Sequence, residues 1–283
     1  MISDNLLIEV FEEKSWITSD SIWNEVASKK ILKIKVDFLF KGGIWRNNYI
    51  EAAWKSCLKD PEIKYLLVSH GDREFKKSFY TFFSALGIKN IYATNVAARV
   101  QNSRIKALPL GLTNNTNESP LHPILGNQNI FKDILKIKKP NNTRLKVYVN
   151  INPNTYYSRK KLLSTIKNLG HISVDIPDYS PKGRFNFLSK IRNSDYVICP
   201  RGNGIDTHRF WETLYAGSIP IVTSKDLPIA GLQEKLPILI LDSWQEVYNS
   251  KLLSEHLMYF KSIEYDATIL KRKYWVDLVK KFG

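Results

Sequence analysis

Hydrophobic positions along this chain of 283 residues form short apolar runs that alternate with segments of helical spacing. In the first half, strands are predicted at 31–40, 64–70, 90–94 and 105–110, and helices at 47–59 and 78–86. The first of these strands carries lysines, which favours an exposed edge. Strands that alternate with helices are typical of a parallel sheet covered by helices.

The second half repeats this alternation after a stretch of different composition. Residues 113–142 are rich in Asn and Pro and predict a crossing between lobes, with one short helix at 130–137. Strands then follow at 145–150, 172–176, 197–199, 219–222 and 238–241, and helices at 158–169, 185–192 and 251–281. The chain is therefore predicted to form an α/β lobe over 1–125, a second over 126–265, and a last helix over 266–283 that packs back on the first.

Composition and charge narrow the class of protein. A hydrophobic content of 43% is enough for two modest cores. No apolar stretch approaches the ~20 residues of a membrane helix, and the N-terminus lacks the basic start of a secretory signal, so we expect a cytoplasmic protein. The formal charge of +15 suits a nucleic-acid binder. The lysines are scattered without a nucleic-acid-binding motif, however, so no specific nucleic acid is expected.

Residues 196–222 are the most informative segment, because they predict a strand, a glycine-rich turn, a helix and another strand. Gly202 and Gly204 bracket a turn that can take positive φ and let a ligand approach the backbone. Asp206 or Thr207 is expected to cap the helix. The segment lacks the third glycine of a dinucleotide fingerprint and the Gly-Lys-Ser/Thr of a phosphate loop. Its helix start still favours an anion, through free N–H groups and the helix dipole.

Charged residues on this helix strengthen the case for a phosphate. Arg209 falls in the first turn, where a cation is unfavourable unless an anion binds. A guanidinium pairs with phosphate in a fork geometry, and Arg201 is a second candidate. Glu212 could accept hydrogen bonds from a ribose diol. Ordinary helix-surface ion pairs from Arg209 to Asp206 and Glu212 are the alternative.

The helix is predicted to be amphipathic, with two separate faces. Its buried face comprises Phe210, Trp211 and Leu214, and its polar face His208, Arg209, Glu212 and Tyr215.

Residues 200–222, PRGNGIDTHRFWETLYAGSIPIV, resemble the donor-site signature of exostosin-like (family 47 type) glycosyltransferases. That group includes ribitol xylosyltransferases and bacterial and large-virus sugar transferases. The resemblance implies a GT-B fold, in which two Rossmann-like lobes face each other across a cleft. It implies inverting transfer of a sugar, with xylose the first choice, from a UDP-sugar to a hydroxyl of a glycan or glycoprotein acceptor. It also allows for a virus-encoded protein that acts in the host cytoplasm.

The resemblance assigns the donor to the second lobe. Arg159 matches the arginine that opens the first helix of the family's donor lobe, although a solvated helix-start arginine fits equally well. The predicted donor-binding residues are Arg159, Arg201, Gly202, Asn203, Gly204, Asp206, Thr207, His208, Arg209 and Glu212. No Asp-x-Asp element and no His or Cys cluster of ligand spacing occurs, so no metal is expected and the UDP-sugar is a co-substrate.

A second candidate site follows the strongest strand of the first half. Ligands of open α/β sheets bind beyond the carboxyl ends of strands, and inverting transfer needs a general base. The segment LLVSHGD at 66–72 resembles the THNSD stretch of the same enzymes, which favours Asp72 as base and His70 as second choice. Arg73 and Asn95 are predicted to bind the acceptor. An ordinary turn at 70–72 and a capping role for Asn95 are the alternatives.

Residues 91–95 and 105–114 are similar to the paired Asn and Pro-Ile-Gly-Leu-Glu-Asn elements of that family, where Gly111 would turn the chain into the cleft.

Two functions other than transfer stay open. One is a nucleotide-sugar epimerase, which shares two Rossmann-like lobes, and the other is a non-catalytic glycan- or nucleotide-binding module.

Overall fold

The computed structural model describes the chain except for residues 19, 37–47, 71–73, 76, 118, 141–143, 167 and 282–283. For residues 35–36, 48–50 and 69–70 it describes the backbone alone. Within these limits, the strands form two separate sheets, one of four strands and one of five, and all of their pairings are parallel.

The first lobe is built on the four-stranded sheet, in the sequential order β1-β2-β3-β4. Its strands are β1 (Ile31–Val36), β2 (Tyr65–His70), β3 (Asn90–Ala93) and β4 (Ile105–Ala107). The helices of this half are α1 (Asp4–Glu12), α2 (Ser21–Glu25), α3 (Asn48–Lys59) and α4 (Lys77–Ser84). The lysine-bearing β1 lies at the edge of the described sheet, as predicted, and lysine is a residue that edge strands commonly carry.

The short helices α5 (His122–Leu125) and α6 (Ile130–Lys136) precede the sheet of the second lobe. Its strands are β5 (Val147–Asn150), β6 (Ile172–Asp175), β7 (Tyr196–Ile198), β8 (Ile219–Thr223) and β9 (Leu239–Leu241). Helices α7 (Tyr157–Ile166), α8 (Pro181–Arg192) and α9 (His208–Tyr215) connect them, and α10 (Ser250–Ser262) and α11 (Arg272–Lys280) follow.

The strand order of the second lobe, β6-β5-β7-β8-β9, reverses between β5 and β7. Such a reversal opens a crevice at the carboxyl ends of the strands, where ligands of open α/β sheets bind. Two parallel sheets connected by helices confirm the predicted α/β fold class, with two Rossmann-like lobes of GT-B type. β7 and β8 are buried at every position, which is typical of central parallel strands.

Each end of the chain contacts the lobe more distant from it in sequence. Phe11 of α1 stacks on Phe131 of α6 with ring centroids 4.8 Å apart, and Arg192 of α8 donates to both carboxylate oxygens of Asp4, at 2.8 and 2.6 Å. At the other end, α11 packs against α2. The predicted domain boundaries stay a prediction.

The tail at 251–281, predicted to be helical, contains the two helices α10 and α11. They are separated by residues 263–271, where Tyr215 donates its hydroxyl to the backbone oxygen of Leu270. Among the described residues, the helices are all too short or too polar to cross a membrane.

Candidate functional site

The glycine-rich turn and the start of α9 lie at the carboxyl end of β7, beside the crevice between β5 and β7. Thr207 occupies the N-cap position without a side-chain cap bond, and the helix begins at His208. The first N–H groups of a helix have no intrahelical partner, so they point out of the helix end. At the other end, Gly217 takes the left-handed conformation, with φ 78°.

Two arginines beside this helix start have guanidinium groups whose hydrogen bonding is incomplete. The Nε atoms of Arg201 and Arg209 are both buried, and neither has a hydrogen-bond partner among the residues that the structure describes. Arg209 lies over the ring of Phe187 at 5.8 Å, and it forms no ion pair with any carboxylate that the structure describes. Arg201 lies 4.5 Å from the ring centroid of Tyr156. Because a buried donor normally has a partner, this arrangement favours a bound anion.

Arg159 is buried beneath the same loop and supports it. Its Nε donates to the carbonyl oxygen of Arg201 at 2.8 Å, and its Nη2 to that of Pro200 at 3.1 Å. Burial, and then the charge of Arg209, lower the pKa of Arg159 to about 10, so it stays charged at neutral pH. Arg159 therefore adds positive potential while its donors hold the loop. Direct contact between Arg159 and a diphosphate stays a prediction.

The predicted polar face of α9 is wrong for Glu212 and Tyr215, which are both buried. Glu212 Oε1 accepts from Arg184 Nη1 at 2.5 Å, with the two side chains 6% and 3% exposed. Tyr215 accepts from the backbone N–H of Ile17. Helix α8 packs against α9, and the ring centroids of Phe11 in α1 and Tyr215 lie 5.6 Å apart, so other parts of the chain cover this side of α9. The carboxylate of Glu212 is thus already paired, and ribose binding by it stays a prediction.

Gly202 and Gly204 do not take the positive φ that the sequence suggested. A Cβ atom on Gly204 would lie 2.3 Å from Oδ1 of Asn95, and one on Gly202 would lie 3.3 Å from Nη2 of Arg159. Both glycines therefore make room for side chains of the protein itself.

Asp206 and Asn95 connect the two lobes. The carboxylate of Asp206 accepts from the backbone N–H of Leu110 and from Nε1 of Trp211, both at 2.7 Å. Its own N–H donates to Oδ1 of Asn95 at 2.9 Å. Asp206 is 3% and Asn95 2% exposed, and burial raises the pKa of Asp206 to about 7. Next to this contact, Nδ1 of His208 lies 2.8 Å from the carbonyl oxygen of Gly111, while Asn203 is exposed.

The predicted base lies largely outside the described residues. His70 ends β2, where only its backbone is described, and Asp72 and Arg73 belong to the range 71–73. The next residue, Glu74, brings a first-lobe carboxylate to the donor loop: it lies 2.5 Å from Arg99 and 3.4 Å from Arg201.

Sequence reasoning assigned no role to four residues around the arginines, namely Glu74, Tyr156, Arg184 and Phe187. Arg184 and Glu212 are 28 positions apart, on different helices. A pair of this kind leaves no periodic signal in the sequence. Glu74 belongs to the segment at 70–74, directly after a strand. Its position at the carboxyl end of that strand was the one feature of the sequence that could have marked it as a site residue.

Comparison with known proteins gives weak structural likenesses. No family model and no curated protein sequence matches the chain. It is similar to a crystal structure of alpha1,3-fucosyltransferase, with a TM-score of 0.43 and 10% identity over 96% of each chain. It is also similar to that of an alpha1,3-fucosyltransferase with GDP, with a TM-score of 0.44 and 9% identity over 93% of this chain and 95% of the other. At these values the likeness identifies neither a donor nor an acceptor.

Proposed function

We propose that this chain is a glycosyltransferase that binds a nucleotide sugar in its second lobe and transfers the sugar to a hydroxyl of a glycan or glycoprotein acceptor. One observation carries the proposal: within the described part of the chain, the buried Nε atoms of Arg201 and Arg209 have no hydrogen-bond partner. Both arginines lie beside the start of α9, where the strand order reverses. A diphosphate fits this place, because its oxygens accept from guanidinium groups and from helix-terminal N–H groups together.

In the proposed reaction, the acceptor oxygen forms a bond to the anomeric carbon while the bond from that carbon to the diphosphate oxygen breaks. The electron pair of the broken bond stays on the diphosphate, whose charge Arg201, Arg209 and the start of α9 stabilise. The hydroxyl proton passes to a first-lobe base, with Asp72 our first choice and His70 the second. A single displacement of this kind inverts the anomeric centre.

The finer choices come from the sequence resemblance. They are a UDP-sugar donor, xylose as the transferred sugar, a reaction without a metal, and acceptor contact through Arg73. The described arginines are suited to phosphate and do not select a base, so GDP-sugars belong in the same test as UDP-sugars.

The test is a donor panel by saturation-transfer NMR with UDP-xylose, UDP-glucose, GDP-fucose and GDP-mannose, on the wild type, Arg209→Ala and Arg104→Ala. Arg104 is an exposed first-lobe arginine that contacts Tyr80, so its removal changes the net charge equally without touching the site. We expect one sugar nucleotide to bind the wild type and Arg104→Ala. Arg209→Ala should weaken that binding by about 10- to 100-fold, the effect of one charged hydrogen bond.

Three other outcomes would redirect the assignment. If the wild type binds none of these nucleotides, the transferase proposal is wrong. Conversion of the donor to an isomeric sugar nucleotide without any acceptor would indicate an epimerase. Donor binding with no product from any acceptor would indicate a non-catalytic module.

A further inference from the structure

Asn95 contacts both sides of the proposed reaction site. Its side-chain Oδ1 accepts from the N–H of Asp206, just before α9, at 2.9 Å. Its backbone oxygen accepts from the N–H of Phe75, also at 2.9 Å, where Phe75 and Val96 form an isolated parallel bridge. Phe75 follows closely after residues 71–73, which contain the proposed base Asp72. One residue just after β3 thus contacts Phe75 of the first lobe through its backbone and Asp206 of the second lobe through its side chain.

The surroundings of Asn95 fix its conformation. Its φ is 57°, in the left-handed region, which asparagine tolerates better than most residues. Residues in such conformations persist when the structure around them holds them there. The side chain is buried, and the absence of a Cβ atom at Gly204 provides its space. The sequence suggested that Asn95 binds the acceptor sugar. A buried amide that already accepts from the protein backbone is poorly placed to do so.

We propose that Asn95 is a positioning residue that holds Phe75, three residues after the proposed base Asp72, in a fixed position relative to the start of α9. The proposal rests on the proposed function. Transfer requires the base, the acceptor hydroxyl and the anomeric carbon to be in line, and a misplacement of about 1 Å can cost about 100-fold in rate. The phosphate contacts belong to Arg201 and Arg209, so loosening the contact at Asn95 lowers turnover and leaves donor affinity nearly unchanged.

The first test variant is Asn95→Gly, which keeps the left-handed backbone at no steric cost and removes only the amide. We expect kcat to fall by about 10-fold or more, with the donor Kd changed by less than about threefold. Gly204→Ala disturbs the same contact from the other lobe and should act alike. Gly170→Ala is the matched control, because its Cβ atom would meet nothing within 4 Å, and it should behave as wild type.

The double variant tests whether the two residues act through one contact. In Asn95→Gly, the atom that a Cβ at position 204 would meet is gone, so adding Gly204→Ala should lower kcat by less than about threefold further. Additive losses would overturn the proposal. Equal losses in kcat and in donor affinity would overturn it too, since they would make Asn95 a binding residue.

Hydrogen–deuterium exchange gives a readout that needs no substrate. In Asn95→Gly, we expect the amides of Phe75 and Asp206 both to exchange faster than in Gly170→Ala. Faster exchange at only one of these two amides would show that Asn95 does not hold the segments of Phe75 and Asp206 together, even if the activity falls as expected. Failure of the wild type to bind any donor would instead count against the proposed function, so the two failures can be told apart.

Discussion

The buried pair between Arg184 and Glu212 gives the sharpest prediction about stability. In Arg184→Met, the carboxylate of Glu212 remains 6% exposed and loses its charged partner at 2.5 Å. Removing one member of a buried ion pair costs about 3–5 kcal/mol, because the other charge is left uncompensated. Arg184 also donates to the carbonyl oxygen of Leu125 at 3.2 Å, so the variant should loosen α5 as well.

The assay is urea unfolding followed by circular dichroism, with the free energy of unfolding taken from the linear extrapolation. The double variant Arg184→Met/Glu212→Leu should regain most of the stability that Arg184→Met loses, since neither charge then has to be buried. Lys273→Met is the matched control: its ion pair with Asp277 has a similar distance of 2.7 Å, but its side chains are 81% and 55% exposed. An exposed pair of this kind should change stability by less than about 1 kcal/mol.

The opposite pattern would refute this reasoning. If the free energy of unfolding of Arg184→Met stays within about 1 kcal/mol of wild type, Arg184 is not the main partner of the Glu212 carboxylate. If, in addition, Glu212→Gln abolishes nucleotide binding without a loss of stability, the ribose contact predicted from the sequence would be the correct role.

Of three further predictions, two concern contacts between the lobes and one concerns a turn within the first lobe. Burial raises the pKa of Asp206 to about 7, so the folded protein binds this proton more tightly than the unfolded one, and the stability that the group contributes falls as pH rises from about 4 to about 7. The difference in urea midpoint between wild type and Asp206→Asn should therefore shrink across that pH range. A constant or growing difference would contradict this prediction. Gly111→Ala should lower the thermal midpoint by several degrees, because its φ is 69° and its Cβ atom would lie 2.4 Å from the carbonyl oxygen of Ile17; an unchanged midpoint would mean that this turn relaxes freely. Arg192→Met should cost about 2–4 kcal/mol in urea unfolding, since the 1% exposed guanidinium holds α1 through Asp4; proteolysis should then release the N-terminal segment first, and cleavage elsewhere would argue against this.

The elements could be predicted where the pattern is local and strong. β2, β5, β7 and β8 coincide with apolar runs, and α4 and α9 end near Gly87 and Gly217, which both take positive φ. The tail was harder, because both of its helices have apolar faces and the break at 263–271 depends on contacts with the rest of the chain.

The ligand contacts assigned to the site residues stay predictions, and the structure adds contacts within the protein that the sequence did not reveal. Arg209 could be placed at a helix start from spacing alone, and its Nε finds no hydrogen-bond partner in the described ranges of the chain. Gly204, Asp206 and Asn95 were predicted to face ligands, whereas the structure uses all three in the contact between lobes. Asn95 and Asp206 are 111 positions apart, so no local pattern could reveal that they bind each other.

The sequence by itself determined the two α/β lobes, the glycine-rich turn and the arginine at the start of α9, because periodicity, turn chemistry and helix capping act between near neighbours. Only the tertiary structure decided which polar groups of that segment remain open to a ligand. Three residues from distant parts of the chain form hydrogen bonds with this segment. Asn95 accepts from the N–H of Asp206, Arg159 donates to the carbonyl oxygen of Arg201, and Arg184 donates to Glu212. Burial and hydrogen bonding depend on these neighbours in space, so the same residue types can serve a ligand or the fold.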